Sequence, residues 1–204
     1  MVFGDRAVLV TCADRDERRA TRARLVADLP RHSVREGVRA LLVVAERPDP
    51  TLLDSVCACL SAARPHAQEE EARTVTIQVT YDGIDLDETA HALGLTAAEL
   101  VHEHQAQAWV VDVMGFAPGF GYLLPFGDER ADWSRLDRRA SPRDRVPGGS
   151  VALAAGMSAV YPVSMPGGWH LIGRTPAAMF DANNPAAPSL LVPGAIVWFT
   201  ETPA

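Results

Sequence analysis

The chain contains no lysine; all nineteen of its basic residues are arginine. That absence excludes a Schiff-base lysine, and it excludes a standard P-loop, whose lysine reaches the nucleotide phosphates. Cysteine is scarce. Cys12, Cys57 and Cys59 are odd in number and lack a CxxC spacing, so reduced, mostly buried thiols are expected rather than a disulfide framework. No apolar run approaches the roughly 18 residues that span a bilayer. The stretch MVFGDRAVLVTC meets Asp5 and Arg6 before any apolar run, which reads against a signal peptide, and a cytoplasmic location is the expectation. Positive charge is also short. A net charge of −7 argues against nucleic acid or an anionic membrane as the main partner, because both reward basic surfaces.

What is present is a 204-residue chain with 48% apolar side chains, enough for one large domain or two small ones. The first third alternates. AVLVTC (7–12) reads as a strand, DERRATRARLVADL (16–29) as a helix and GVRALLVVAE (37–46) as a second strand. Asp49-Pro50 opens a second helix over LLDSVCACLSAA (52–63). Residues 63–73, ARPHAQEEEAR, lose periodicity and read as a linker. The boundaries are therefore an α/β domain over 1–73 and a second domain over 74–204.

TVTIQVT (74–80) alternates like a half-buried strand. Asp85 with Glu88, then Thr96 with Glu99, carry cap and third-residue spacing for two short helices, the first closed by Gly94. AWVVDVM (108–114) is a strand. Beyond it helix signals give way to short apolar runs at 150–155, 158–163, 169–173 and 195–200, separated by Gly and Pro, the writing of a β-barrel or sandwich. The fold class is α+β.

Several stretches invite a functional reading. LGLTAAEL (93–100) has the look of a helix-turn-helix, but residues 82–105 hold six acidic residues and no arginine, and phosphates would repel them. His102 and His104 form an HxH, yet on the expected helix they point apart, and no metal ligand set is evident. GGSVALAAG (148–156) misses the nucleophile elbow, because Ala152 stands where that motif needs Gly; Ser150 is better read as a substrate-binding hydroxyl. RLDRRASPRDR (135–145) packs five arginines into eleven residues, and Arg143 is the best candidate there for an anion clamp. MPGGWHLIGRTP (165–176) sets Trp169 after a tight turn and ends on Arg174. MGFAPGFGYLLP (114–125) carries three glycines and three aromatics. Its glycines, Gly119 above all, would let the backbone lie against a small ligand while Phe116, Phe120 and Tyr122 exclude water. On that reading a β-branched residue at 119 removes activity and leaves the chain folded.

Together GFAPGFGYL (115–123), ASPRDRVPGGSVALAAG (140–156), YP (161–162), PGGWHLIGRTP (166–176), MFD (179–181) and LLVPGAIVWF (190–199) resemble the family of the bacterial 5-oxoprolinase B-type subunit, also called allophanate hydrolase subunit 1. That family includes the sporulation histidine-kinase inhibitor and half of the carboxyltransferase region of urea carboxylase. The resemblance implies a small N-terminal α/β domain and a C-terminal cyclophilin-like β-barrel. It implies a companion of the allophanate hydrolase subunit 2 type, with room for a further catalytic subunit. The implied activity is that of an ATP-dependent hydrolase subunit, active in complex and opening a small cyclic or urea-derived amide. ATP would be bound with or by the partner. The family's recurring residues fall on His104, Tyr122, Arg143, Pro147, Ser150, Tyr161, Trp169 and Arg174. Arg143 or Arg174 would hold the substrate's carboxylate. The alternative is a binding module that inhibits a histidine kinase; carboxyl transfer from carboxybiotin is a third reading. Three departures stand out. Gly121 replaces a proline, PGGS replaces PAGS, and AGMSAVYP replaces GGQTGIYP, so that Met157 stands where the family has an amide side chain.

Overall fold

The alternation of apolar residues in Ala40–Ala45 buries Leu41, Val43 and Ala45 and turns the intervening residues away. This strand is the centre of the first of two compact units, Met1–Glu70 and Glu71–Ala204. The computed structural model describes residues 2–62 and 73–202. All of the linker read over 63–73 except Arg73 lies outside the described residues.

The first unit runs β1 (Val2–Phe3), β2 (Ala7–Thr11), α1 (Arg15–Asp28), β3 (His32–Glu36), β4 (Ala40–Ala45) and α2 (Leu52–Ser61). The sheet order is β1-β2-β4-β3, antiparallel throughout. Leu25 of α1 and Leu52, Val56 and Cys59 of α2 pack with the inward residues of β2 and β4. The single strand expected over 37–46 is instead the second arm of a hairpin, reversed where the Gly37 N–H donates to the Ala40 carbonyl. The first arm was hidden because β3 is an edge strand: Ser33 and Arg35 are exposed, and Val34 is its one apolar residue. Arg18, on α1, is fully enclosed and pairs with Glu36 at 3.1 Å.

The second unit begins with β5 (Thr74–Val79), α3 (Leu86–Leu93), α4 (Ala97–Ala106) and β6 (Ala108–Met114). Gly94 closes α3 in the left-handed conformation, and Thr96 and Glu99 form the reciprocal capping box of α4. There follow β7 (Gly121–Phe126), β8 (Arg143–Val146), β9 (Ser150–Ala154), β10 (Met157–Val160), β11 (Met165–Gly167), β12 (His170–Arg174) and β13 (Ile196–Glu201). Seven strands form one sheet in the order β12-β9-β10-β7-β6-β13-β5, parallel only between β13 and β5. The sheet curls until its edges meet: Thr80 and Arg174 exchange both backbone hydrogen bonds, at 2.8 and 2.9 Å. The architecture is α+β, with a half-barrel sheet in the second unit.

Every residue of β9 is buried, because both faces of the sheet are covered. Val151 and Leu153 point into the main core with Trp109, Leu123 and Phe199. Ala152 and Ala154 point the other way, into a smaller cluster with Phe120, Tyr161 and Trp169. The two-stranded β8–β11 ribbon joins that second cluster through Val146 and Met165. Among the described residues, no helix is long and apolar enough to cross a membrane.

Candidate functional site

The outer face of the half-barrel gathers the aromatic residues singled out in the sequence. The Phe120 ring meets Tyr122, Tyr161 and Trp169 edge-on, with centroids 5.0, 5.5 and 6.0 Å away. Tyr122 and Trp169 lie 6.0 Å apart. Edge-to-face packing of this kind is favoured by ring quadrupoles and makes a rigid platform. Phe120, Tyr161 and Trp169 are buried, so they support a surface rather than wall a cavity. Tyr122, Met157 and Met165 are half-buried along it. Burial raises the Tyr161 hydroxyl above its ordinary value, countered by a hydrogen bond from the Trp169 backbone and by the charges of Arg138 and Arg143.

Arginines border this platform. The Arg138 guanidinium lies 6.0 Å from the Trp169 ring centroid. Arg143 sits opposite Gly167 in the β8–β11 ladder, and a Cβ on Gly167 would come within 2.2 Å of the Tyr161 hydroxyl. The arginine-rich segment is firmly tied down. The Arg139 N–H donates to Gly168 at 2.8 Å, Ala155 donates to the Leu136 carbonyl at 2.6 Å, and His170 Nε2 lies 3.0 Å from the Asp137 carbonyl. Pro147 and Ser150 belong to the turn from β8 to β9, which is bonded through Gly149 and Ser150 to the Tyr161 backbone.

The sequence reading missed the acid in this arrangement. Asp85 was expected to cap α3, but its side chain makes no capping bond. The carboxylate accepts instead from Arg143 Nη2 at 2.6 Å, Arg139 Nη1 at 3.1 Å and the Leu171 N–H at 2.7 Å. Charge-assisted bonds to two guanidinium groups outweigh a single cap bond. Those partners lie 54 to 86 residues away, so no local pattern announces them.

Two of the predicted residues lie elsewhere. His104 is fully enclosed among Tyr81, Trp109, Trp133 and Phe199, on the inner side of the sheet. Arg174 is exposed and pairs with Asp82 at 2.8 Å. Gly119 is also used otherwise than expected. At φ 82°, its missing Cβ would meet the Met179 carbonyl at 2.7 Å and Phe180 Cβ at 2.8 Å, so the close approach is to the chain itself. The same loop, from Gly115 to Gly119 without Phe116, lines an open hollow of about 650 Å³ with Arg73, Leu191 and Pro193. None of the platform rings, nor Arg143, lines that hollow; the single cleft expected to hold them all is two separate features. Among the described residues no three His, Cys, Asp or Glu side chains gather as a metal site.

Fold and sequence together place the chain in a carboxyltransferase class. It belongs to the family described as the carboxyltransferase domain, subdomain C and D, which matches residues 1–191. Among curated proteins it is 42% identical to the B-type subunit of 5-oxoprolinase from Bacillus subtilis over 135 residues, 64% of this chain and 54% of that protein. It is 35% identical to the protein of the same name from Escherichia coli O157:H7, over 80% of this chain and 74% of that one. The match thus spans about half the length of the Bacillus relative. Among solved structures, TTHA0988 superposes on 98% of the chain with a TM-score of 0.80 at 28% identity, and this chain covers 40% of it. The Kluyveromyces lactis urea amidolyase shares the fold over 97% of this chain and 14% of its own, at 16% identity and a TM-score of 0.74.

Proposed function

We propose that the chain is a subunit of a 5-oxoprolinase-type, ATP-dependent amidohydrolase. It opens a small cyclic or urea-derived amide together with a companion of the allophanate hydrolase subunit 2 type, in the cytoplasm. The observation that carries this reading is the meeting of the Phe120–Tyr122–Tyr161–Trp169 platform with Arg143 in a chain whose curated relatives are named as 5-oxoprolinase subunits. A flat aromatic surface holds a small ring and excludes water from one side. The planar guanidinium beside it is suited to a carboxylate. The platform is open to the outside, so the companion supplies the other wall.

The residues of this chain do not fit a triphosphate. There is no lysine, and the first turns of α3 and α4 carry Asp87, Glu88 and Glu99, which repel phosphate. ATP is therefore assigned to the partner, and the role of this chain is to bind and orient the amide. The test is co-expression with the neighbouring gene product, followed by ATP-dependent turnover of 5-oxoproline and of allophanate. Turnover of one of them by the purified complex is expected. A stable complex that turns over neither overturns the reading.

A further inference from the structure

Asp85 stands between two arginines. Its neighbour Glu88 also reaches Arg139, at 3.6 Å, but is 68% exposed, where solvent screens the pair. One buried carboxylate thus faces two guanidinium groups, and the cluster keeps one positive charge in surplus. Two of its donors, Arg139 Nε and Arg143 Nη1, are buried and have no acceptor among the described residues. Buried donors without acceptors are unfavourable, and more so when the group is charged. The cluster is joined to the platform through the Arg139 N–H bond to Gly168 and the Arg143–Gly167 pairing. It therefore lies beside the surface assigned to the amide.

We infer that Arg139 and Arg143 together bind the carboxylate of the substrate, and that Asp85 is the positioning residue that aligns the two guanidinium groups. The inference rests on the function proposed above and specifies its substrate class: a monoanionic lactam or related amide acid, not a neutral amide. A carboxylate matches both the single surplus charge and the forked donor geometry. Asp85 does not touch the substrate. Held by the Leu171 N–H, it fixes where both arginines point.

The test is calorimetric titration of the full chain, in complex with its companion, with 5-oxo-L-proline and with 2-pyrrolidinone, the same ring without the carboxylate. The wild type is expected to prefer 5-oxo-L-proline at least about tenfold, the worth of one charge-assisted hydrogen bond. R139Q should lose most of that preference while binding 2-pyrrolidinone unchanged. D85N separates positioning from charge. Removing an acid would by charge alone tighten binding of an anion, whereas loss of alignment weakens it, by about tenfold, and leaves 2-pyrrolidinone unaffected. Equal affinity for the two ligands in the wild type, an unchanged preference in R139Q, or tighter 5-oxo-L-proline binding by D85N each overturns the inference and leaves the proposed function standing. Binding of neither ligand overturns both. Should D85N fail to fold, R139Q decides alone, since its side chain is already 26% exposed.

Discussion

His104 Nε2 lies 3.0 Å from the hydroxyl of Ser158, and both side chains are completely enclosed. The other ring nitrogen is 2.8 Å from the Tyr81 hydroxyl, and the ring stacks on Phe199 with centroids 4.5 Å apart. A serine and a histidine at this distance have the spacing of nucleophile and base. With no surface exposed, they instead fasten α4 to β10 across the inner core.

The buried imidazole gives the fold an acid sensitivity. Burial lowers its pKa from 6.5 to about 3. As pH falls below 6.5 the unfolded chain takes up a proton that the folded chain refuses. Stability is therefore complete above 6.5 and declines by about 1.4 kcal/mol per pH unit toward 3. Urea denaturation at pH 7.5 and 5.5 should show this loss in the wild type. H104Q should be less stable at pH 7.5 by about 3 kcal/mol, because Tyr81 and Ser158 lose a shared partner, but its profile should be flatter. Parallel profiles for the two proteins would disprove the neutral buried ring.

Gly119 separates a packing role from a binding one. G119V places a β-branched carbon against the Met179 carbonyl at a backbone conformation such residues avoid. Thermal unfolding should show a loss of about 2 to 4 kcal/mol in the second unit. A variant that melts like the wild type yet is inactive in the complex would return Gly119 to the ligand.

Ala155 offers the opposite change. It turns from β9 to β10 with φ 51°, followed by Gly156 at φ 77°, a pair of left-handed residues that favours Asn-Gly. A155N should stabilise the chain by about 0.5 to 1 kcal/mol, because asparagine tolerates this conformation better than alanine. A lower denaturation midpoint would count against the turn geometry.

Where the determinants are local, the sequence announced the structure. Thr96, Glu99 and Gly94 marked their helix ends because caps are set within one turn, and 74–80 and 108–114 showed their strands by apolar pattern. The aromatic platform was legible only as candidates: Phe120 and Trp169 are 49 positions apart, and nothing but the fold makes them neighbours. β7 and β8 were hidden for different reasons. The first follows a glycine-rich loop and contains Pro125; the second, Arg143–Val146, is mostly charged and has one buried apolar residue. Asp85 was misread because its spacing to Glu88 is that of a cap, while its partners lie far along the chain. Arg139 carried no local mark to distinguish it from its neighbour Arg138.

Met157 is the departure from the family that the fold makes testable. In β10, Ser158 turns inward to His104, while Met157 turns outward beside the platform and is half-buried. A thioether accepts weakly and donates nothing, whereas a glutamine could both donate to and accept from an amide. M157Q keeps a similar length and can turn its polar end toward solvent, so its melting temperature should stay within about 3 °C of the wild type. If the amide lies on the platform, the new hydrogen bond should raise kcat/KM of the complex for 5-oxoproline by about fivefold, the kinetic equivalent of about 1 kcal/mol. Allophanate, an amide as well, serves as the parallel substrate. A folded M157Q complex with unchanged kcat/KM for both would move the amide off this face of the half-barrel.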